Sequence, residues 1–361
     1  MKNLMSGLIS ILLGLIIGGI ILKLSGISPL DALYVILKGS FSKPNYVGYI
    51  VVKSTPLILT GLSIAFAFRT GLFNIGAEGQ FIIGALSAAV FGILFNFPAY
   101  IQIPLVMILA TLMAGLYGGI CGYLKAKYGV HEVLSTIMFN WIALYFSNHM
   151  VFVERFRRPH MEATEYINPT TRISFLDDWK ISDAGLDYLA QHDFLRLLIR
   201  PPLNMGIIIA IIVAIICYYV LFKTSFGRKL QITGHSPKAA EYAGINTKFN
   251  ITASMFIAGA IAGLAGATHV MGVSKNVSVL SAFEGYGFDG IATALIGASH
   301  PIGVIFSGFF LGMLKYAGQK IQPQLDAPGE LVGIVIGIIV FFMAVPSFIS
   351  LIKNKFKKES H

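Results

Sequence analysis

Stretches of about twenty apolar residues, each closed by a short polar or glycine-rich break, recur along the whole of this 361-residue chain. A bilayer core of roughly 30 Å is crossed by a helix of about that length. Hydrophobic residues make up 55% of the sequence and charged residues only 12%. The mean hydropathy of +0.75 lies well above that of a soluble globular chain. The expected fold is therefore an all-α polytopic membrane protein, a single transmembrane domain over residues 1–361 with no soluble catalytic domain left over. Its 38 glycines fit that reading, because small residues let membrane helices approach closely.

The runs and their breaks place about ten helices, near residues 4–23, 54–70, 78–96, 103–124, 130–152, 203–222, 250–272, 287–299, 301–318 and 330–352. The run from Leu4 to Leu22 is long for a signal-peptide core and no A-x-A-like cleavage site follows, so a retained first helix is expected. Residues 28–53 read as a connection with a short surface helix at Ala32 to Leu37. The formal charge of +10 comes from 27 Lys and Arg dispersed between the spans, which excludes a nucleic-acid surface and instead encodes orientation. With both termini cytoplasmic, Arg69, Lys125, Lys127, Lys223, Arg228, Lys229, Lys238, Lys248, Lys353, Lys355, Lys357 and Lys358 fall on the cytoplasmic side, as the positive-inside rule requires. Residues 154–202 form the long extracellular loop, and its seven basic and eight acidic residues between Glu154 and Arg200 bear little on orientation. Residues 223–249 form a cytoplasmic loop.

Two breaks carry polar groups at membrane depth. The first runs from Arg69 to Gln80, with Gly71, Gly76 and Gly79 beside Asn74, Glu78 and Gln80; the second runs from Glu284 to Gly290 and contains Phe288 and Asp289. Polar backbone survives at that depth only when buried in protein or facing water. Glycine-interrupted segments in matching halves point to a solute site at their interface. Asn74, Glu78, Gln80, Phe288 and Asp289 are thus candidates for a substrate pathway, as are Phe139, Asn140 and Trp141, which offer an aromatic face and a polar contact. The plainer reading keeps Asn74 and Glu78 as helix-capping groups and Asn140 as interhelical glue. The Gly115/Gly119, Gly259/Gly263 and Gly333/Gly337 pairs read as packing signals. Cys121 and Cys217 lie in separate apolar spans without metal or redox spacing.

In the cytoplasmic loop, Ser236 is positioned to cap a short helix that starts at Pro237 and stops at Gly244. That segment, Phe-Gly-Arg-x-Leu followed by Pro-x-Ala-Ala-x-Tyr-Ala-Gly-Ile and the glycine-rich stretch from Ala258 to Ala267, resembles the branched-chain amino acid and simple-sugar permease family of ABC importers. Residues Asn74 to Gln80 resemble its nucleoside-transporting branch. The resemblance implies a multi-pass permease of the cell membrane, set in membrane lipid and importing a nucleoside. It also implies ABC ATPase subunits that bind ATP-Mg, a second related permease in a heterodimer, and an extracellular substrate-binding lipoprotein. Pro237, Lys238, Ala239, Ala240, Glu241, Tyr242, Ala243 and Gly244 would then be the ATPase-coupling helix. The residues agree in one respect: no Gly-x-x-x-x-Gly-Lys-Ser/Thr occurs, so no cofactor is expected in this chain and energy must come from a partner. Scattered histidines and the absence of a nucleophile elbow argue against an enzyme or a metal site. The alternatives are a ribose-like sugar permease, an ion-coupled secondary transporter using Glu78, Glu132 and Asp289, and a passive channel.

Overall fold

The computed structural model describes residues 13–14 and 16–320, with short stretches at 324–325, 333–334, 337–338 and 341. Expected spans near 4–23 and 330–352 lie largely outside the described residues. Within them the chain is helical throughout, and strand pairing is limited to three isolated bridges.

Helix α1 (Ile16–Leu24) turns by 114° into α2 (Pro29–Phe41). The region expected to be a connection is helical: Ser28 caps α2, and α3 starts at Pro44 and runs unbroken to Arg69. Pro44 supplies the preset φ of a first helical turn. The later Pro56 does not end α3, because Ser54, Thr55 and Thr60 return their hydroxyls to carbonyls four residues back and keep the polar groups around it satisfied.

Next come α4 (Ala77–Leu94), α5 (Ala99–Tyr128) and α6 (Glu132–Val151). The long loop contains a 3-10 turn (Pro169–Thr171) and three short helices, α7 (Asp177–Lys180), α8 (Asp183–Gln191) and α9 (Asp193–Ile199). Helix α10 (Gly206–Lys223) leads into the loop helices α11 (Ser225–His235) and α12 (Pro237–Tyr242). Helix α13 (Thr247–His269) continues as a π-helical turn over Val270–Ser274, and α14 (Tyr286–Ile296) and α15 (Pro301–Gly318) follow.

Six of these helices are long and apolar enough to cross a membrane: α3, α4, α5, α10, α13 with its π turn, and α15; the bent pair α1 and α2 makes a seventh if counted as one span. The sequence-predicted span at 130–152 is α6, which is 20 residues long but diluted by Ser135, Thr136, Asn140, Ser147 and Asn148. The one at 287–299 is α14, whose 11 residues reach only about 16 Å.

Helix α13 is the hub, packing along α5, α4 and α3. Its crossing with α5 has no room for a side chain at Gly259, where a Cβ would sit 2.6 Å from the Ala114 carbonyl oxygen. The loop 154–202 closes one end of this bundle. Ile167 and Ile173 enter the core formed by α4, α5 and α13, and the backbone N–H of Ile173 donates to Met271 at 3.0 Å. Asp177 ties the loop to the bundle through Lys275 at 2.7 Å and to its own helix through Lys180 at 3.2 Å. Burial would raise this carboxyl, but the Lys275 ammonium, the Ser174 hydroxyl and Lys180 together hold it below the usual carboxylate range. At the opposite end, Arg69 donates to the Ser299 carbonyl at 3.1 Å and lies over the Phe222 ring, while Gly234 of α11 abuts the turn at Thr70 and Gly71. The ends of α3 and α10 and the loop 223–249, all expected on one side from their basic residues, do share one end of the bundle.

Candidate functional site

After Arg69 the chain does not simply turn. Residues 70–76 fold back along α3, so that the Asn74 amide comes within 3.5 Å of Ser63 Oγ and α4 starts inside the bundle. The N-terminus of α14 arrives at the same depth, its Tyr286 carbonyl 2.9 Å from Thr60 Oγ1. Thr60 is nine residues before the Arg69 end of α3, or roughly 13 Å inward.

Glu78 joins these two helix starts. Its side chain is fully buried; Oε1 accepts the Gly285 N–H at 2.8 Å and Oε2 the Gly287 N–H at 2.5 Å. A carboxylate is favourable there because the first amides of α14 have no intrahelical acceptor and carry the positive end of the helix dipole. A Cβ on Gly287 would collide with the Glu78 backbone, so this close approach requires glycine. Glu78, placed in the sequence at the start of α4, thus caps α14.

The other polar residues of the first break turn to one another. Asn74 and Gln80 exchange amide hydrogen bonds of 2.8 and 3.2 Å. Asn140 of α6 accepts the Gly79 N–H at 2.8 Å and donates to the Ile75 carbonyl at 3.1 Å, closing the first turn of α4. Phe139 packs against Tyr117, whose hydroxyl donates to the Phe139 carbonyl at 2.6 Å. Asp289 pairs with Lys315 of α15.

Trp141 and Phe288 lie elsewhere. Both are partly exposed, at 46% and 39%, and Phe283 stands between them edge-on to each, with ring centroids 4.8 Å from Trp141 and 5.7 Å from Phe288. Next to Phe283 along the chain, Glu284 lines a cavity of about 100 Å³ together with Ser147, His269 and Asn276. The aromatic trio meets this cavity only through the Phe283–Glu284 peptide bond, and none of its three rings lines the cavity. Of these residues only Trp141 and Phe288 stood out in the sequence. Glu284 was visible as part of the second break, whereas Ser147 is one of several polar residues on α6 and His269 closes α13 beside Thr268, and neither gave a signal.

On the loop at the other end, Ser236 Oγ accepts from the Ala239 N–H at 3.3 Å, Pro237 opens α12, and Gly244 follows the helix with φ +72°. Glu241 is held by the Thr247 hydroxyl at 2.8 Å, and Tyr242 is 95% exposed. Asn250 donates to Thr233 at 2.9 Å and Ser254 to Thr70 at 2.8 Å, so α11, the base of α13 and the first break are fastened together.

Residues 46–344 match the family model described as branched-chain amino acid transport system / permease component. Along 99% of its length the chain is 39% identical to the guanosine ABC transporter permease protein NupP of Bacillus subtilis, covering 98% of that protein. It is 34% identical to the nucleoside ABC transporter permease protein NupB of Lactococcus lactis, over 97% of this chain and 93% of that one. It is also 28% identical to a second Bacillus subtilis protein, the guanosine ABC transporter permease protein NupQ, over 77% of this chain and 84% of the relative. No solved structure matches the chain.

Proposed function

The chain belongs to the family of branched-chain amino acid transport system permease components, a multi-pass protein of the cell membrane, and from that premise we propose that it is the membrane-spanning subunit of an ATP-driven nucleoside importer. The observation that carries this reading is the near full-length similarity to a guanosine permease and a nucleoside permease. The cluster of Trp141, Phe283 and Phe288, with Trp141 and Phe288 exposed, supports it, since a heterocyclic base offers a π-face that stacks on such a surface.

In this reading ATP-Mg is bound by separate ATPase subunits. They grip residues 237–244, where Tyr242 is fully presented, and displacement of α12 passes through α11 to Gly71 and the first break. A ligand-driven change of this kind needs contacts that differ between the two states, and the Gly71 to Gly234 contact is the one available along the route. A second, related permease completes the pathway; the two guanosine permeases of Bacillus subtilis, both similar to this chain, are consistent with such a pair. An extracellular lipoprotein delivers the solute to the face closed by the 154–202 loop.

Ion coupling is disfavoured by the fate of its three candidate carboxylates. Glu78 is engaged on both oxygens, Asp289 is paired with Lys315, and Glu132 is paired with Lys125 at 2.5 Å. The test is uptake of labelled guanosine, adenosine, uridine and ribose into cells with this chain deleted or restored, with proton and sodium gradients collapsed and ATP maintained. Nucleoside uptake that disappears on deletion and persists without the gradients is expected. Loss of ribose uptake alone would reassign the substrate to the sugar class, and uptake that stops with the gradients would replace the mechanism.

A further inference from the structure

Buried hydroxyls in these helices generally satisfy themselves. Thr60, Thr136, Thr233 and Thr268 each donate to a carbonyl three or four residues back. Ser147 on α6 departs from that pattern: it is fully buried, and its Oγ has no hydrogen-bond partner among the described residues. A buried polar group left without a partner in the protein points to one outside it. Ser147 is among the residues lining the 100 Å³ cavity, together with three whose side chains make no hydrogen bond among the described residues, His269, Asn276 and the exposed Glu284, with the Lys53 charge near His269 and Glu284. The space is about that of three liquid waters. It is well below the roughly 300 Å³ or more of a pocket that encloses a whole drug-sized ligand, and it is partly open, so that the hydroxyl edge of a sugar ring can enter while the rest of the ring stays at the mouth.

We propose that this cavity is the ribose subsite of the transported nucleoside, in which the Glu284 carboxylate accepts hydrogen bonds from the vicinal 2′- and 3′-hydroxyls and Ser147 meets the sugar from within. The inference rests on the nucleoside reading above and deepens it. A carboxylate is acceptor-only with two oxygens, and a cis-diol presents two O–H donors at matching separation. Because Phe283 and Glu284 are consecutive, the aromatic face for the base and the acceptor for the sugar adjoin, as base and ribose do in the solute.

The experiment compares uptake of guanosine and 2′,3′-dideoxyguanosine by the intact transporter carrying Glu284→Gln or Ser147→Ala, at matched membrane abundance. Every variant works with the same delivery protein, so a change in the ratio of the two rates belongs to this chain. For Glu284→Gln, guanosine uptake falls about tenfold, the scale of a charge-assisted hydrogen bond, while dideoxyguanosine uptake is unchanged. Ser147→Ala shifts the ratio in the same direction by a smaller factor. Equal losses for both solutes, or no change in the ratio, overturn the subsite. If the unmodified transporter carries ribose but no nucleoside, the nucleoside reading fails on its own, and the two variants compared on ribose and 2-deoxyribose still decide the cavity. Selective loss on ribose supports a sugar-hydroxyl site, and parallel loss overturns it.

Discussion

The polar residues of the first break and those of the cavity beside α6 differ in what they touch. Asn74, Glu78, Gln80 and Asn140 are buried and spend their hydrogen bonds on one another or on backbone. Ser147 has no such partner among the described residues, and Glu284 is exposed, with the Lys53 charge as its neighbour. In a bilayer every polar group must be satisfied internally or face water or solute, so the first set reads as construction and the second as reception.

The largest expected departure tests the construction set. Glu78→Ala strands the Gly285 and Gly287 amides inside the bundle and costs about 3–4 kcal/mol, two charge-assisted bonds less partial relaxation. Thermal unfolding of the purified protein should show it as a large drop in midpoint, and an unchanged midpoint would dissolve the contrast. Next in size, Gly287→Ala forces a methyl into the Glu78 backbone, for about 2–3 kcal/mol of overpacking on the same assay. Asn140→Ala removes the cap on α4 and is expected to cost about 1–2 kcal/mol. At the exposed end of the molecule, Tyr242→Ala should leave stability within about 0.5 kcal/mol while uncoupling ATP hydrolysis from uptake; uptake at the normal rate would remove α12 from the coupling route.

The smallest effect belongs to the loop that closes the other end. The Asp177 carboxyl is lowered in the folded protein relative to about 3.9 when unfolded. Its stabilisation is therefore complete above that value and lost as pH falls through the lowered one. Asp177→Asn should cost about 0.5 kcal/mol at neutral pH, the scale of a solvent-accessible ion pair, and should flatten the acid limb of a stability profile measured between pH 5 and 2.

Much of this was legible in the chain itself. Apolar runs located α3, α4, α5, α10, α13 and α15, and the Ser-Pro start and glycine stop located α12, because those signals act over a few neighbouring residues. The start of α3 at Pro44 was not legible, since residues 44–53 are too mixed to read as a span and gain their burial from other helices. The breaks were visible as glycine clusters, yet the partner of Glu78 lies 207 and 209 residues away. Hydrogen bonds across such distances leave no periodic trace. Ser147 was hidden for a related reason: one serine among the several polar residues of α6 looks the same whether it bonds to its own backbone or lies beside a cavity.

The most direct test of the contrast is guanosine uptake per molecule of folded transporter in Glu78→Gln beside Glu284→Gln. The account predicts that Glu78→Gln loses folded protein while the surviving molecules transport near the normal rate, and that Glu284→Gln accumulates normally but transports about tenfold more slowly. The reverse pattern, with normal abundance and failed transport for Glu78→Gln and normal transport for Glu284→Gln, would contradict it.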